Sequence, residues 1–253
     1  MDRAYVLARL ARASFPRAAA QDPSWLLEDM MGPCSVWLAE ALGARMQVAP
    51  RSSVVDIGCG KAMSSLFLAR EFDVDVTAVD LWIDASDNQQ RIADAGLADR
   101  VRAVHADAMN LDVPPETFDA LVSIDAFHYF ADQPASVEAL TRLVRPGGLL
   151  GVVVPGLRDD LGWPEHLAQW RDSFLAFHGP DWWEALWRQD QTVQIDEVTS
   201  IPWGGSDDWI CWADACDDWA RLHDREPYEH EARMLRQDHG GFLVFHLITA
   251  NKL

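Results

Sequence analysis

The chain has no apolar stretch approaching the roughly 20 residues that cross a bilayer, because charged residues interrupt every long hydrophobic segment. That argues against a helical membrane span and for a soluble protein. Basic residues are scarce: 21 lysines and arginines against 40 aspartates and glutamates leave a formal net charge of -19 and a pI near 4.6. A grip on DNA, RNA or an anionic membrane needs a basic face, so nucleic-acid and membrane partners are not expected and a neutral or cationic partner is. Cysteine is sparse too. Cys34, Cys59, Cys211 and Cys216 show neither CxxC spacing nor the density of a secreted disulfide scaffold, which points to a reducing cytoplasm. Internal repeats and low-complexity linkers are absent. The opening MDRAYVLARLARASFPRAAA has the arginines and alanines of a transit peptide, but Asp2 and the lack of a distinct apolar run favour an ordinary helix.

What the chain does have, from about residue 50 to 154, is an alternation of β-rich runs with helical patterns, the signature of consecutive βαβ units around a parallel sheet. SVVDIG reads as the first strand and MSSLFLAREF as the helix after it. VDVTAVD is the second strand, followed by SDNQQRIADAG, a helix that Ser86 or Asp87 can cap and that ends near Gly96. VRAVHAD and FDALVSIDAF are the third and fourth strands. SVEALTRLV is a helix closed by RPGG, and LLGVVVPG is a fifth strand, apolar enough to be buried on both faces. After Gly156 the regularity fades and tryptophan, acid and histidine take over. PEHLAQWRDSFLAF and PDWWEALWRQ read as helices with proline in the first turn, TVQIDEVTSI as a sixth strand, SDDWICWADACDDWARL and YEHEARMLRQD as two more helices, and GFLVFHLITAN as a last strand.

VVDIGCGKAM, residues 54–63, joins a strand ending in an acid to a helix through Gly58-x-Gly60. Glycine there suits a ligand whose polar portion approaches the backbone, since a Cβ at Gly58 or Gly60 would collide with it. Alone, the loop is equally a tight turn. Its context is a series of acids: Asp80 ends the second strand 24 residues after Asp56, Asp107 follows the third, and Asp125 closes the fourth. In an open α/β sheet the carboxyl ends of parallel strands line the ligand crevice, and an acid at the second can accept both hydroxyls of a ribose.

The ordered series VVDIGCGKA, VTAVD, HADAM, FDALVSIDAFHYF and LVRPGGLLGVVVPG resembles the class I S-adenosylmethionine-dependent methyltransferases, over roughly residues 30 to 155 and again at the last strand. The resemblance implies a Rossmann-like α/β fold: a seven-stranded, mostly parallel sheet with helices on both faces and a helical cap formed by insertions. The plan is one domain, with an N-terminal helical cap segment (1–45), a cofactor-binding core (46–156), and cap insertions plus the last two strands (157–253). Residues 1–45, 157–180 and 204–238 make the cap. The resemblance further implies S-adenosyl-L-methionine as cofactor and S-adenosyl-L-homocysteine as product. Asp56, Gly58 and Gly60 then lie against the methionine moiety, Asp80 holds the ribose, and Leu81 and Trp82 pack on adenine. Asp107 meets the exocyclic amine, the Ala108 amide reaches a ring nitrogen, and Asp125 with the following AFHYF sits nearest the reactive methyl. Two departures stand in the loop. Ala62 replaces a third glycine that permits close helix-to-strand packing, and Lys61 faces either solvent or the cofactor carboxylate.

For chemistry, His128, Tyr129 and Asp125 are the candidates to orient an acceptor or take its proton, a histidine being suited by an unperturbed pKa near neutrality. The bland alternative is that FHYF packs under the cap. Nine tryptophans lie after the fifth strand, among them Trp203, and most are cap packing, although two or three would suffice for a flat-walled pocket or an aromatic cage. Asp207, Asp208, Asp214, Asp217 and Asp218 form either a solvated face or a cation-favouring one. His223, His230, His239 and His246, spaced seven to nine apart, lack the short ligand pairs of a zinc site, so no metal is expected. Cys59 reads as a small buried filler. The expected substrate is a small molecule with an amine, hydroxyl or aromatic acceptor, methylated directly by a monomer or homodimer. The alternatives are a cofactor-binding protein of the same fold with non-methylating chemistry such as cyclisation, or a non-catalytic binding partner.

Overall fold

The computed structural model describes residues 2–203, 207–227, 229–239 and 241–253, the side chains of 229–231 excepted. Helices α1 (Arg3–Ala8), α2 (Pro16–Ala19), α3 (Pro23–Glu28) and α4 (Ser35–Met46) precede the first strand. Asp2 caps α1 and Asp22 caps α3, each accepting a backbone N–H two residues on. The alternating region follows as β1 (Ser53–Ile57), α5 (Met63–Glu71), β2 (Asp75–Asp80), α6 (Ala85–Asp94), β3 (Val101–His105), β4 (Phe118–Ile124), α7 (Ser136–Thr141) and β5 (Val144–Leu157). Beyond it come α8 (Pro180–Trp187), β6 (Val193–Pro202), α9 (Asp207–Leu222), α10 (Glu229–Gln237) and β7 (Leu243–Lys252). The expected helix starts at Ser206 and Tyr228 lie outside the described residues.

The seven strands form one sheet in the order β3-β2-β1-β4-β5-β7-β6, parallel except for β7, which runs antiparallel to both β5 and β6. The expected architecture is therefore the observed one. Alternation within the central strands divides the core into two layers: Val54 and Val122 point to one face, Val55 and Leu121 to the other.

Four details differ from the sequence reading. Strand β4 stops at Ile124, because Asp125 adopts φ 55° and the chain turns into a short 3₁₀ segment over Phe127–Tyr129. Strand β5 begins at Val144, running through the expected closing loop with a shift of register against β4. Residues Glu165–Ser173 wind as 3₁₀ turns where an α-helix was expected. Finally, α4 packs on α5, β4, β5 and β7 as part of the layer covering the sheet, whereas α1 and α3 pack on α9. The reason is composition: α4 is buried along most of its length, including Trp37, Leu38 and Leu42, and only the sheet offers enough apolar surface to cover it.

Most tryptophans are structural. Trp37 stacks on Phe15 with ring centroids 5.2 Å apart and meets Trp209 and Trp212 at 5.7 Å, joining α4 to α9. On the opposite face Trp183 and Trp187 of α8 pack against Phe127 at 6.0 and 5.8 Å. Three of the five acids of α9 are held in ion pairs, while Asp207 is exposed to solvent. Asp208 pairs with Arg12 and Asp218 with Arg9, each at 2.5 Å, and Asp214 pairs with Arg236. These pairs fasten the N-terminal segment and α10 to α9. Cys34, Cys59 and Cys211 are free thiols, and among the described residues no helix is long and apolar enough to cross a membrane. Truncating a fully buried tryptophan removes a large apolar area and leaves a cavity, so Trp37→Ala should lower unfolding stability by about 3–5 kcal/mol. A shift of the urea midpoint, with far-UV circular dichroism unchanged at low urea, is the measurement that checks it.

Candidate active site

Strand order reverses between β1 and β4: β2 continues the sheet on one side and β5 on the other, so the loops leaving β1 and β4 part and open a crevice. A cavity of about 840 Å³ sits there. Of the four strand-end acids, Asp80, Asp107 and Asp125 are on its wall and Asp56 is not.

Asp56 works from behind. Its side chain is fully buried, and the hydroxyls of Ser64 and Ser65, in the first turns of α5, donate to Oδ2 at 2.6 and 2.7 Å. Burial raises its pKa to about 6, against the pull of those two hydrogen bonds. Its position is that of a tie between β1 and the helix that begins beyond the glycine loop, so direct contact with a ligand, expected from the sequence, is not where the structure puts it.

The loop itself folds back on β2: the amides of Gly58 and Cys59 both donate to the Val79 carbonyl, at 2.8 and 3.1 Å. Gly58 has φ 75°, and a Cβ there would stand 2.3 Å from the Cβ of Ala126. Glycine at 58 is thus required by the neighbouring β4 loop, not by a ligand alone as the sequence reading has it. At Gly60, φ is 53° and a Cβ would meet Met31 Sδ at 3.2 Å. Ala62 is also left-handed, φ 62°, and fully buried, so the missing third glycine costs backbone strain besides one methyl of packing. Cys59 is buried and its thiol pushed far up by desolvation and the nearby acids, consistent with a filler and not a nucleophile.

Asp80 organises the wall. One carboxylate oxygen accepts the Gly60 amide at 2.8 Å; the other accepts the amides of Trp82 and Ile83 at 2.8 and 2.9 Å. Leu81 and Trp82 follow on the wall, both more than half exposed. Asp107 caps the 3₁₀ turn after β3, accepting from the Met109 amide at 2.9 Å and from Asn110 Nδ2 at 3.1 Å, with Ala108 on the wall beside it. Asp125 is held by its own amide, which donates to the Val153 carbonyl at 2.8 Å.

His128 and Tyr129 both line the cavity, their rings 4.0 Å apart, and Tyr129 meets Trp82 edge-on at 5.1 Å. The two differ in burial. Tyr129 is exposed, while His128 is enclosed and its Nδ1 is buried with no hydrogen-bond partner. Desolvation pushes the His128 pKa down to about 3, so the near-neutral titration expected from the residue type is lost and the imidazole is neutral at physiological pH.

The rest of the wall carries no sequence motif. Met31, Gly32 and Pro33 come from the N-terminal segment, Gln133 from the stretch before α7, and residues 173–177 and Trp203 from the chain after β5. Of the nine late tryptophans, Trp203 alone reaches this wall among the described residues. The histidines are dispersed: His246 is buried between the Ser200 hydroxyl and the Leu157 carbonyl, and the side chain of His230 lies outside the described residues.

A family model described as a methyltransferase domain matches residues 54–148. An uncharacterised methyltransferase of Mycobacterium tuberculosis is 39% identical over 150 residues, which are 55% of this chain and 71% of that protein. Among solved structures, geranyl diphosphate C-methyltransferase of Streptomyces coelicolor, in complex with Mg2+, geranyl-S-thiolodiphosphate and S-adenosyl-L-homocysteine, has a TM-score of 0.68 and 16% identity over 100% of this chain and 85% of that one. The (4+2)-cyclase SpnF has a TM-score of 0.67 and 18% identity, covering 87% of this chain and 81% of its own. The structural likenesses concern the fold.

Gly58→Ala combines a left-handed backbone with a clash against Ala126 and should cost about 2–5 kcal/mol, read from chemical unfolding. The unfolded chain takes up a proton at His128 near pH 6.5, whereas the folded protein resists it until about pH 3. Stability from this group is therefore intact above pH 6.5 and falls with acidification, by about 2 kcal/mol at pH 5. His128→Gln should lose correspondingly less stability than the parent between pH 7 and pH 5, and equal acid slopes for the two proteins would refute the assignment.

Proposed function

The chain belongs to the class I S-adenosylmethionine-dependent methyltransferases, and from that premise we propose that the cavity at the β1–β4 switch point binds the methyl donor and that the protein methylates a small molecule there. The observation that carries this reading is the convergence of Asp80, Asp107 and Asp125, from three strand ends, with the glycine loop on one wall. Asp80 takes the ribose hydroxyls, Leu81 and Trp82 flank the adenine, and Asp107 with the Ala108 amide reads its edge. Gly58 and Gly60 bring the backbone against the methionine moiety, with Lys61 on the same wall suited to its carboxylate. Asp56 supports the loop from behind through Ser64 and Ser65.

When bound, the sulfonium supplies a methyl already activated for in-line displacement. The residues around it have to exclude water, align the acceptor and leave room for its proton to depart. Asp125, His128 and Tyr129 are placed for that work at the exit of β4. A neutral imidazole offers the acceptor group a hydrogen bond and orients it, and so low a pKa makes it a poor store for the released proton. The net charge of -19 disfavours a nucleic-acid substrate, and the free thiols of Cys34, Cys59 and Cys211 fit a reducing cytoplasm.

Calorimetry should detect binding of S-adenosylmethionine and S-adenosylhomocysteine, and absence of both from well-folded protein would sink the reading. Cyclisation or another non-methylating reaction is separated by product analysis, since only transfer releases S-adenosylhomocysteine in step with product. Asp80→Ala should weaken cofactor binding by about tenfold or more, through loss of charge-assisted hydrogen bonds of about 1.5–3 kcal/mol. Because the variant also frees the Gly60, Trp82 and Ile83 amides, its unfolding midpoint is measured alongside; an unchanged cofactor affinity would show that another acid holds the ribose.

A further inference from the structure

The cavity wall divides by charge. The half formed by the loops after β1, β2 and β3 carries Lys61, Asp80 and Asp107. The other half, formed by Asp29–Ser35, the turn after β4, residues 173–177 and Trp203, has Asp29 and Asp125 as its charged side chains, Asp29 being paired at 3.3 Å with Arg91, which does not line the cavity, and contains no lysine or arginine among the described residues. Its uncharged polar groups are Ser35, His128, Tyr129, Gln133 and Ser173. Its far side is aromatic, Phe174 lying 4.9 Å from Phe177 and Phe177 5.6 Å from Trp203 between ring centroids. The Trp203 Nε1 is buried there without a hydrogen-bond partner. At the mouth of this half, the Tyr129 ring and Leu175 are each more than half exposed, so the rim there is largely apolar as well.

We propose that the acceptor is a flat, ring-bearing, largely apolar molecule that carries no phosphate or carboxylate, its nucleophile being a neutral or protonatable group that meets Asp125 and His128. This deepens the methyltransferase reading and rests on it. With no lysine or arginine on this half among the described residues, an anion there would give up water without a cationic side chain to receive it, which is disfavoured. The imidazole does not become the missing cation, because its burial keeps it neutral. The aromatic far wall and apolar rim, by contrast, reward a planar hydrocarbon surface. The contrast with the Streptomyces coelicolor neighbour, whose ligand carries a diphosphate, is therefore one of site chemistry on a shared fold.

The test uses the full chain loaded with S-adenosylhomocysteine and four matched probes: 2-naphthol, 2-naphthylmethylamine, 2-naphthoate and 2-naphthyl phosphate. Calorimetry should show the alcohol and the amine binding about tenfold or more tighter than the carboxylate and the phosphate. Gln133→Arg, a change at an exposed wall position, should narrow that gap by strengthening the two anions selectively. Anions binding as tightly as their neutral or cationic partners would overturn the proposal. So would failure of all four probes to bind while S-adenosylhomocysteine still does. Failure to bind S-adenosylhomocysteine is a separate result that removes the methyltransferase reading itself.

Discussion

Three backbone amides converge on the Asp80 carboxylate, one from the loop after β1 and two from the loop after β2. The glycine-loop side of the cavity leans on that arrangement. Without an acceptor at Asp80, the glycine loop and the Leu81–Trp82 turn would have no shared anchor. The carboxylate also sits on the wall, so the group that assembles the two loops is the one offered to a ligand. Asp56 does the complementary work in the dry interior, where its hydrogen bonds to Ser64 and Ser65 tie β1 to the start of α5. Two acids at adjacent strand ends thus divide one task, and burial decides which of them meets the cavity.

The opposite half of the cavity is built differently. It draws on segments remote in the chain: the stretch between α3 and α4, the turn after β4, residues 173–177 and Trp203 at the end of β6. Their meeting depends on packing at some distance from the cavity. The stack of Phe15, Trp37, Trp209 and Trp212 joins the N-terminal helices to α9, and the Arg9–Asp218 and Arg12–Asp208 pairs hold the same seam at its edge. Most of the late tryptophans therefore stabilise the frame that positions a wall, and among the described residues Trp203 is the one of them that belongs to it.

The core of the fold was legible because its signals are local. Strand runs such as VVDI and VTAVD are mostly apolar, as strands covered on both faces must be, and each carries an acid at or next to its carboxyl end. The conformation of Asp125 was not legible: a strand and a left-handed turn differ there by a backbone angle that the register with β5 imposes. Nor was the reason for Gly58, since Ala126, the atom a Cβ would strike, is 68 residues away in sequence. His128 shows the same limit, because its residue type sets a reference pKa and only its surroundings set the real one.

By itself, then, the amino-acid order determined the α/β plan, the strand-end acids and the family of the chain, because hydrophobic period, turn chemistry and motif spacing act over a few residues. Tertiary structure alone decided that Asp56 stands behind the wall, that His128 is neutral, and that the half of the cavity opposite the glycine loop carries aromatic rings and, among the described residues, no lysine or arginine. Those properties arise from burial and from the approach of chain segments far apart in sequence, and no local pattern of residues encodes them.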